Sequence, residues 1–66
     1  MTHEELMLKS LPNYLRKDIL ALIEGYATKP LYLDCLYNEV QGSINGAMWD
    51  KEISEETADL LREMYL

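Results

Sequence analysis

Pro30-Leu31-Tyr32-Leu33-Asp34-Cys35-Leu36-Tyr37-Asn38-Glu39-Val40-Gln41-Gly42-Ser43-Ile44-Asn45-Gly46-Ala47-Met48-Trp49 is the longest patterned run in this chain of 66 residues, and its reading decides the fold class. Leu33, Leu36, Tyr37, Val40, Ile44, Ala47 and Met48 fall on one stripe about 120° wide at about 100° per residue, which predicts an amphipathic α-helix. Cys35, Gly42 and Gly46, all small, lie on nearly the opposite face. A glycine inside a helix costs roughly 1 kcal/mol relative to alanine, so two of them are easier to understand if another backbone approaches there. The competing reading breaks the run at Gly42-Ser43 into two shorter helices. Asn45-Gly46, elsewhere a hairpin-turn signal, sits inside the helical stripe.

On the N-terminal side, Leu15, Ile19, Leu22, Ile23 and Tyr26 recur at i, i+4, i+7, i+8 and i+11, one face of a second helix. Pro12 suits its first turn, where a missing N–H costs nothing, and Ser10 is the candidate cap. Gly25 lies close to where that helix should end, and Thr28-Lys29-Pro30 restarts the chain. Thr2-x-x-Glu5 has capping-box spacing, so a short helical turn carrying Leu6, Met7 and Leu8 can begin at Thr2.

On the C-terminal side, Asp50-Lys51-Glu52 reads as a turn and Ser54 as an N-cap. Glu55 and Glu56 fall in the first turn, where the helix dipole favours negative charge, and Arg62 near the favourable opposite end. Ile53 and Ala58 have the spacing of a weak hydrophobic staple, and Leu60, Leu61, Met64 and Tyr65 supply the apolar side. No stretch alternates with period two over a useful length. The expectation is an all-α single domain over residues 1–66: a compact three-helix bundle, with a short extra N-terminal helix as the open alternative.

Apolar residues make up 48% of the chain and charged residues 27%, ordinary for a soluble domain. No apolar run approaches the roughly 20 residues needed to span a bilayer, and Met1-Thr2-His3-Glu4-Glu5 lacks the basic start of a signal peptide. A single cysteine, Cys35, agrees with a cytoplasmic setting, since small secreted domains carry paired cysteines. The same count leaves so short a chain without a disulfide or a structural zinc site, and a core of this size rarely supplies more than about 3–5 kcal/mol. Unusually clean helix packing or burial against another chain must make up the difference. A homodimer is the expected form of the second.

The net charge of -6 is uneven. Residues 1–33 balance to zero. Residues 34–66 hold Asp34, Glu39, Asp50, Glu52, Glu55, Glu56, Asp59 and Glu63 against only Lys51 and Arg62. The plain reading is a solvated surface that aids solubility. The sharper one is an acidic face, Glu52, Glu55, Glu56, Asp59 and Glu63, that attracts a basic protein.

Catalytic constellations are missing. His3 is the only histidine and lies near the terminus; Cys35 has Asp34 and Glu39 beside it, which oppose a thiolate. Glu55, Glu56 and Asp59 lack the spacing and glycine turn of a calcium loop, and there is no phosphate-binding glycine loop or nucleophile elbow. No catalytic residue, metal or cofactor is expected. Small three-helix proteins often read DNA through a helix-turn-helix, but the last helix here carries four acids and one arginine, so direct nucleic-acid contact is not expected. The six aromatics, Tyr14, Tyr26, Tyr32, Tyr37, Tyr65 and Trp49, all have a polar tip. Such side chains suit interface anchors and half-exposed core rims alike.

The stretch Leu33 to Asn45, with Glu52-Ile53-Ser54-Glu55-Glu56 and Leu61-Arg62-Glu63-Met64-Tyr65-Leu66, resembles small proteins of gut Firmicutes that look like accessory reading frames of integrative and conjugative elements. The resemblance covers about half the chain. It implies a cytoplasmic, helical, non-enzymatic protein and carries over no functional residue.

The expected function is a small protein-interaction module, self-associating as a dimer through Tyr32, Cys35, Tyr37, Gly42, Gly46 and Trp49. The alternatives are an acidic inhibitor or decoy that occupies a basic surface of a target, and a small helix-turn-helix-like transcriptional regulator.

Overall fold

Thr2 starts the first helix in the way its spacing predicts: its Oγ1 accepts the Glu5 N–H at 3.1 Å, and α1 runs His3–Ser10. The computed structural model describes residues 2–66, and three further helices follow: α2 Asn13–Thr28, α3 Leu33–Trp49 and α4 Glu55–Tyr65. The chain is an all-α bundle of four helices, with Cα extents of 32 × 28 × 20 Å. Four helices replace the expected three because α1 is a full helix with its own cap, and it drives Leu8 into the core.

The run from Leu33 to Trp49 is one helix, unbroken at Gly42-Ser43. Its inner stripe is as the periodicity predicts. Val40, Ile44 and Ala47 are fully buried, while Leu33, Leu36, Tyr37 and Met48 pack against the core. Leu15, Ile19 and Leu22 of α2 and Ala58, Leu61 and Tyr65 of α4 complete the centre. Leu11, in the bend between α1 and α2, is buried beneath it. The α2–α3 seam is the most extensive contact in the bundle, with α4 laid across both helices.

Helix ends depart from the reading at two places. Ser10 does not cap α2: it is the last residue of α1, and its Oγ donates to the Met7 carbonyl at 2.6 Å. Pro12 itself holds the N-cap position of α2, without a side-chain cap bond. Gly25 does not end α2 either. The helix continues a further turn to Thr28, and Lys29 takes the left-handed conformation at φ 50°, its N–H bonded to the Gly25 carbonyl at 2.7 Å. Gly25 has a different setting. It is buried, and a Cβ there would lie 2.8 Å from Leu36 Cδ1 and 3.0 Å from Leu33 Cδ1, so the missing side chain lets α3 close onto α2. Ser54 caps α4 as expected, accepting the Thr57 N–H at 3.1 Å.

Tyrosine hydroxyls tie distant parts of the chain. Tyr14 donates to Glu52 Oε1 at 2.8 Å, Tyr26 to the Tyr65 carbonyl at 2.6 Å, Tyr37 to the Leu66 carbonyl at 3.3 Å, and Tyr65 to Glu4 Oε2 at 2.8 Å. Together they join α2 to the α3–α4 turn, α2 and α3 to the end of α4, and α4 to α1. Phenylalanine would pack as well but could make none of these bonds, which rationalises tyrosine rather than phenylalanine at these four positions. Ser43 Oγ donating to Asp18, and Arg62 to Asn45, add polar links from α3 to α2 and to α4. Each such bond contributes about 0.5–1.5 kcal/mol net, a large share of the stability a core of this size can supply.

Candidate protein interface

The outer face of α3 is set by the same periodicity that buries its inner stripe. Cys35, Gly42 and Trp49 are spaced by seven residues, and Gly46 stands one turn from Gly42, so the four share that face. Cys35, Gly42 and Trp49 are exposed and Gly46 is half-buried; Trp49 presents 74% of its surface. Tyr32 stands at the N-terminal end of the same helix, 61% exposed. Tyr37 is the one interface candidate placed elsewhere. It lies on the inner stripe, half-buried, with its hydroxyl held by the Leu66 carbonyl.

The backbone approach expected at Gly42 and Gly46 is not made within the chain. A Cβ built on either glycine meets nothing within 4 Å. The close approach happens at Gly25 instead, on the opposite side of the α2–α3 seam.

Two features of this surface were not read from the sequence. Leu31, in the turn between α2 and α3, stands fully exposed beside Tyr32. The signal was available, since Leu31 falls outside the apolar stripe of α3. The second is the absence of charge. From Val40 to Trp49 there is no Asp, Glu, Lys or Arg, although Gln41, Gly42 and Trp49 face outward. A helix face turned to water usually carries charges, whereas interface cores are depleted of them.

The acidic residues form a separate surface. Glu55, Glu56, Asp59 and Glu63 are exposed along the outer side of α4, and Glu52 precedes them in the turn. Asp59 is paired with Arg62 at 3.0 Å, the one ion pair among the described residues, and Glu52 accepts the Tyr14 hydroxyl. That bond, followed by partial burial and the Glu52 and Asp50 charges, pushes the Tyr14 hydroxyl up to about 12. Burial and the Glu4 carboxylate raise Tyr65 further. His3 and Cys35 sit on different surfaces: His3 beside α4, Cys35 on the outside of α3. No group of three or more metal-ligating side chains lies together among the described residues, and no helix there is long and apolar enough to cross a membrane.

No protein family, curated protein or solved structure matches the chain.

Proposed function

We propose that the chain is a non-enzymatic protein-interaction module that pairs with a second copy of itself through the outer face of α3. The observation that carries this reading is the charge-free run from Val40 to Trp49, ending in an exposed tryptophan and containing two glycines with open space above them. Trp49 supplies a large anchor of the kind that dominates binding energy, and the glycines let a second helix backbone come near. The two helix-interior glycines then have a structural reason that the single chain does not provide. The many acids of α4 lie outside this face, so two copies each carrying -6 can meet over the charge-free stretch from Val40 to Trp49, with Asp34 and Glu39 confined to its N-terminal end. The sequence likeness to mobile-element accessory proteins fits such a role and a cytoplasmic setting.

Sedimentation velocity at low micromolar concentration tests the reading. The expected result is a dimer whose association tightens as salt rises, because salt screens the repulsion between two like-charged chains. A well-folded monomer throughout that range overturns it.

A further inference from the structure

A second open surface involves no residue of α3, and its chemistry is different. α1 and α4 leave between them a groove of about 200 Å³, lined by His3, Glu4, Met7, Leu60 and Met64. Its origin is readable in α4. Ala58, Leu61 and Tyr65 fill the core, while Leu60 and Met64 fall on the flank of the same helix and remain 45% and 42% exposed. From α1, Met7 is half-buried against the core and Leu6 is exposed. The groove has room for one or two large apolar side chains. Two of its apolar walls are methionines, whose flexible thioethers adapt to differently shaped guests.

The rim is acidic. Glu4 lines the groove itself. Glu56 lies four residues before Leu60 and Glu63 three after it, so both neighbour Leu60 on the surface of α4, and both are exposed. No lysine or arginine on these two helices answers them. Arg62 is engaged with Asp59 and Asn45, and Lys9, two residues beyond Met7, points to another side of α1.

We propose that this groove receives the apolar face of a basic amphipathic helix from a partner protein. Leucine- or methionine-like anchors spaced i, i+3 or i+4 would enter between Met7, Leu60 and Met64, and flanking lysines or arginines would meet Glu4, Glu56 and Glu63. Charge complementarity selects this occupant over a second copy of the chain, which would bring a net charge of -6 to an acidic rim. The groove is separate from the outer face of α3 and does not depend on pairing there.

Fluorescence anisotropy with a labelled synthetic peptide of about 18 residues, five helical turns, tests the proposal. One peptide carries leucine along one face and lysine elsewhere; its control has the same composition with the leucines spread round the helix. The first is expected to bind at least about tenfold more tightly than the second, a difference of about 1.4 kcal/mol. That advantage should vanish in Leu60→Ser/Met64→Ser, which changes only half-exposed side chains and should melt near the parent temperature. Were the double variant to lose its fold, Glu56→Gln/Glu63→Gln, at positions that carry no internal bond, should still weaken binding at low salt. Equal binding of the two peptides would show a non-specific charge effect and overturn the groove. So would no binding at high micromolar concentration, or loss of self-association in Leu60→Ser/Met64→Ser, which would make a second copy the occupant.

Discussion

The two sides of α3 use the smallest side chains for opposite ends. On the inner side, the seam with α2 closes over Gly25, where two leucine methyls occupy the space a Cβ would need. On the outer side, Gly42 and Gly46 look onto open space, and no side chain of the same molecule uses the gap. The inner side is finished: its apolar stripe is buried and the Tyr37 hydroxyl is held by a carbonyl. The outer side ends in an indole that is three-quarters exposed and carries no charge over its last ten residues. A glycine inside a helix therefore has no single meaning. What decides it is whether the surrounding atoms already fill the place its side chain would take.

The sharpest break between the two sides should come from truncating one large residue on each. Ile44 is fully buried, and Ile44→Ala should cost about 2–5 kcal/mol, enough to unfold most of a domain whose core supplies about 3–5. Circular dichroism on heating should show the loss directly. Trp49→Ala should leave the melting of the dissociated chain within about 0.5 kcal/mol and weaken self-association tenfold or more. A similar loss of fold in both variants would mean that the indole belongs to the core. Gly25→Val comes next. The added methyls must push Leu33 and Leu36 out of place, an overpacking cost of about 1–3 kcal/mol in urea unfolding. Gly25→Ala should fall near neutrality, because the atoms it meets are the far ends of flexible side chains and the helix gains propensity.

Most of the inner side was legible in the sequence, because burial obeys a period. The stripe from Leu33 to Met48 names the residues that pack on the core, and the Ser54 and Thr2 caps follow from local spacing. The end of α2 was not legible, whereas α3 stops at Trp49, just before the turn read at Asp50-Lys51-Glu52. Both helices are followed by a lysine in the left-handed region, Lys29 at φ 50° and Lys51 at φ 61°, where the usual glycine or asparagine signal is missing. Gly25 marks the end only to within a turn, since its role is fixed by Leu33 and Leu36 on another helix. The groove between α1 and α4 was missed because it depends on how two helices distant in sequence come together. Leu60 and Met64 belong to the apolar side that periodicity gives α4, but periodicity does not show that the fold leaves both on its flank.

The tyrosines extend the comparison from packing to hydrogen bonding. Tyr37→Phe removes a bond from the inner side and should cost about 0.5–1.5 kcal/mol, while Tyr32→Phe, on the exposed end of α3, should leave thermal stability unchanged. Alkaline titration probes two other tied hydroxyls, Tyr14 and Tyr65. Both keep their protons in the folded state above the ordinary value of 10, Tyr14 up to about 12. The unfolded chain loses those protons first as pH rises through 10. Their contribution to stability is therefore complete below pH 10; that of Tyr14 falls between pH 10 and about 12, and that of Tyr65 goes on falling above it. Tyrosinate absorbance should show late-titrating groups, one of which disappears in Tyr14→Phe. Simultaneous ionisation of all five tyrosines at the ordinary value would contradict the bonds to Glu52 and Glu4.

A modest gain in stability is the most informative effect on the outer face. Gly42→Ala adds a methyl where nothing lies within 4 Å, so in the dissociated chain it should only gain, by about 0.5–1 kcal/mol, from better helix propensity. Gly46→Ala should behave alike. A contact between two α3 helices gives these methyls the opposite sign, because each now stands where a partner's backbone must come close. The variants should then melt higher when dilute and associate more weakly when concentrated, a combination that a purely structural glycine cannot produce. Stabilisation at every concentration, with the parent's sedimentation unchanged, would leave α3 with two solvent-facing glycines and no partner to explain them, and would move the site of association elsewhere.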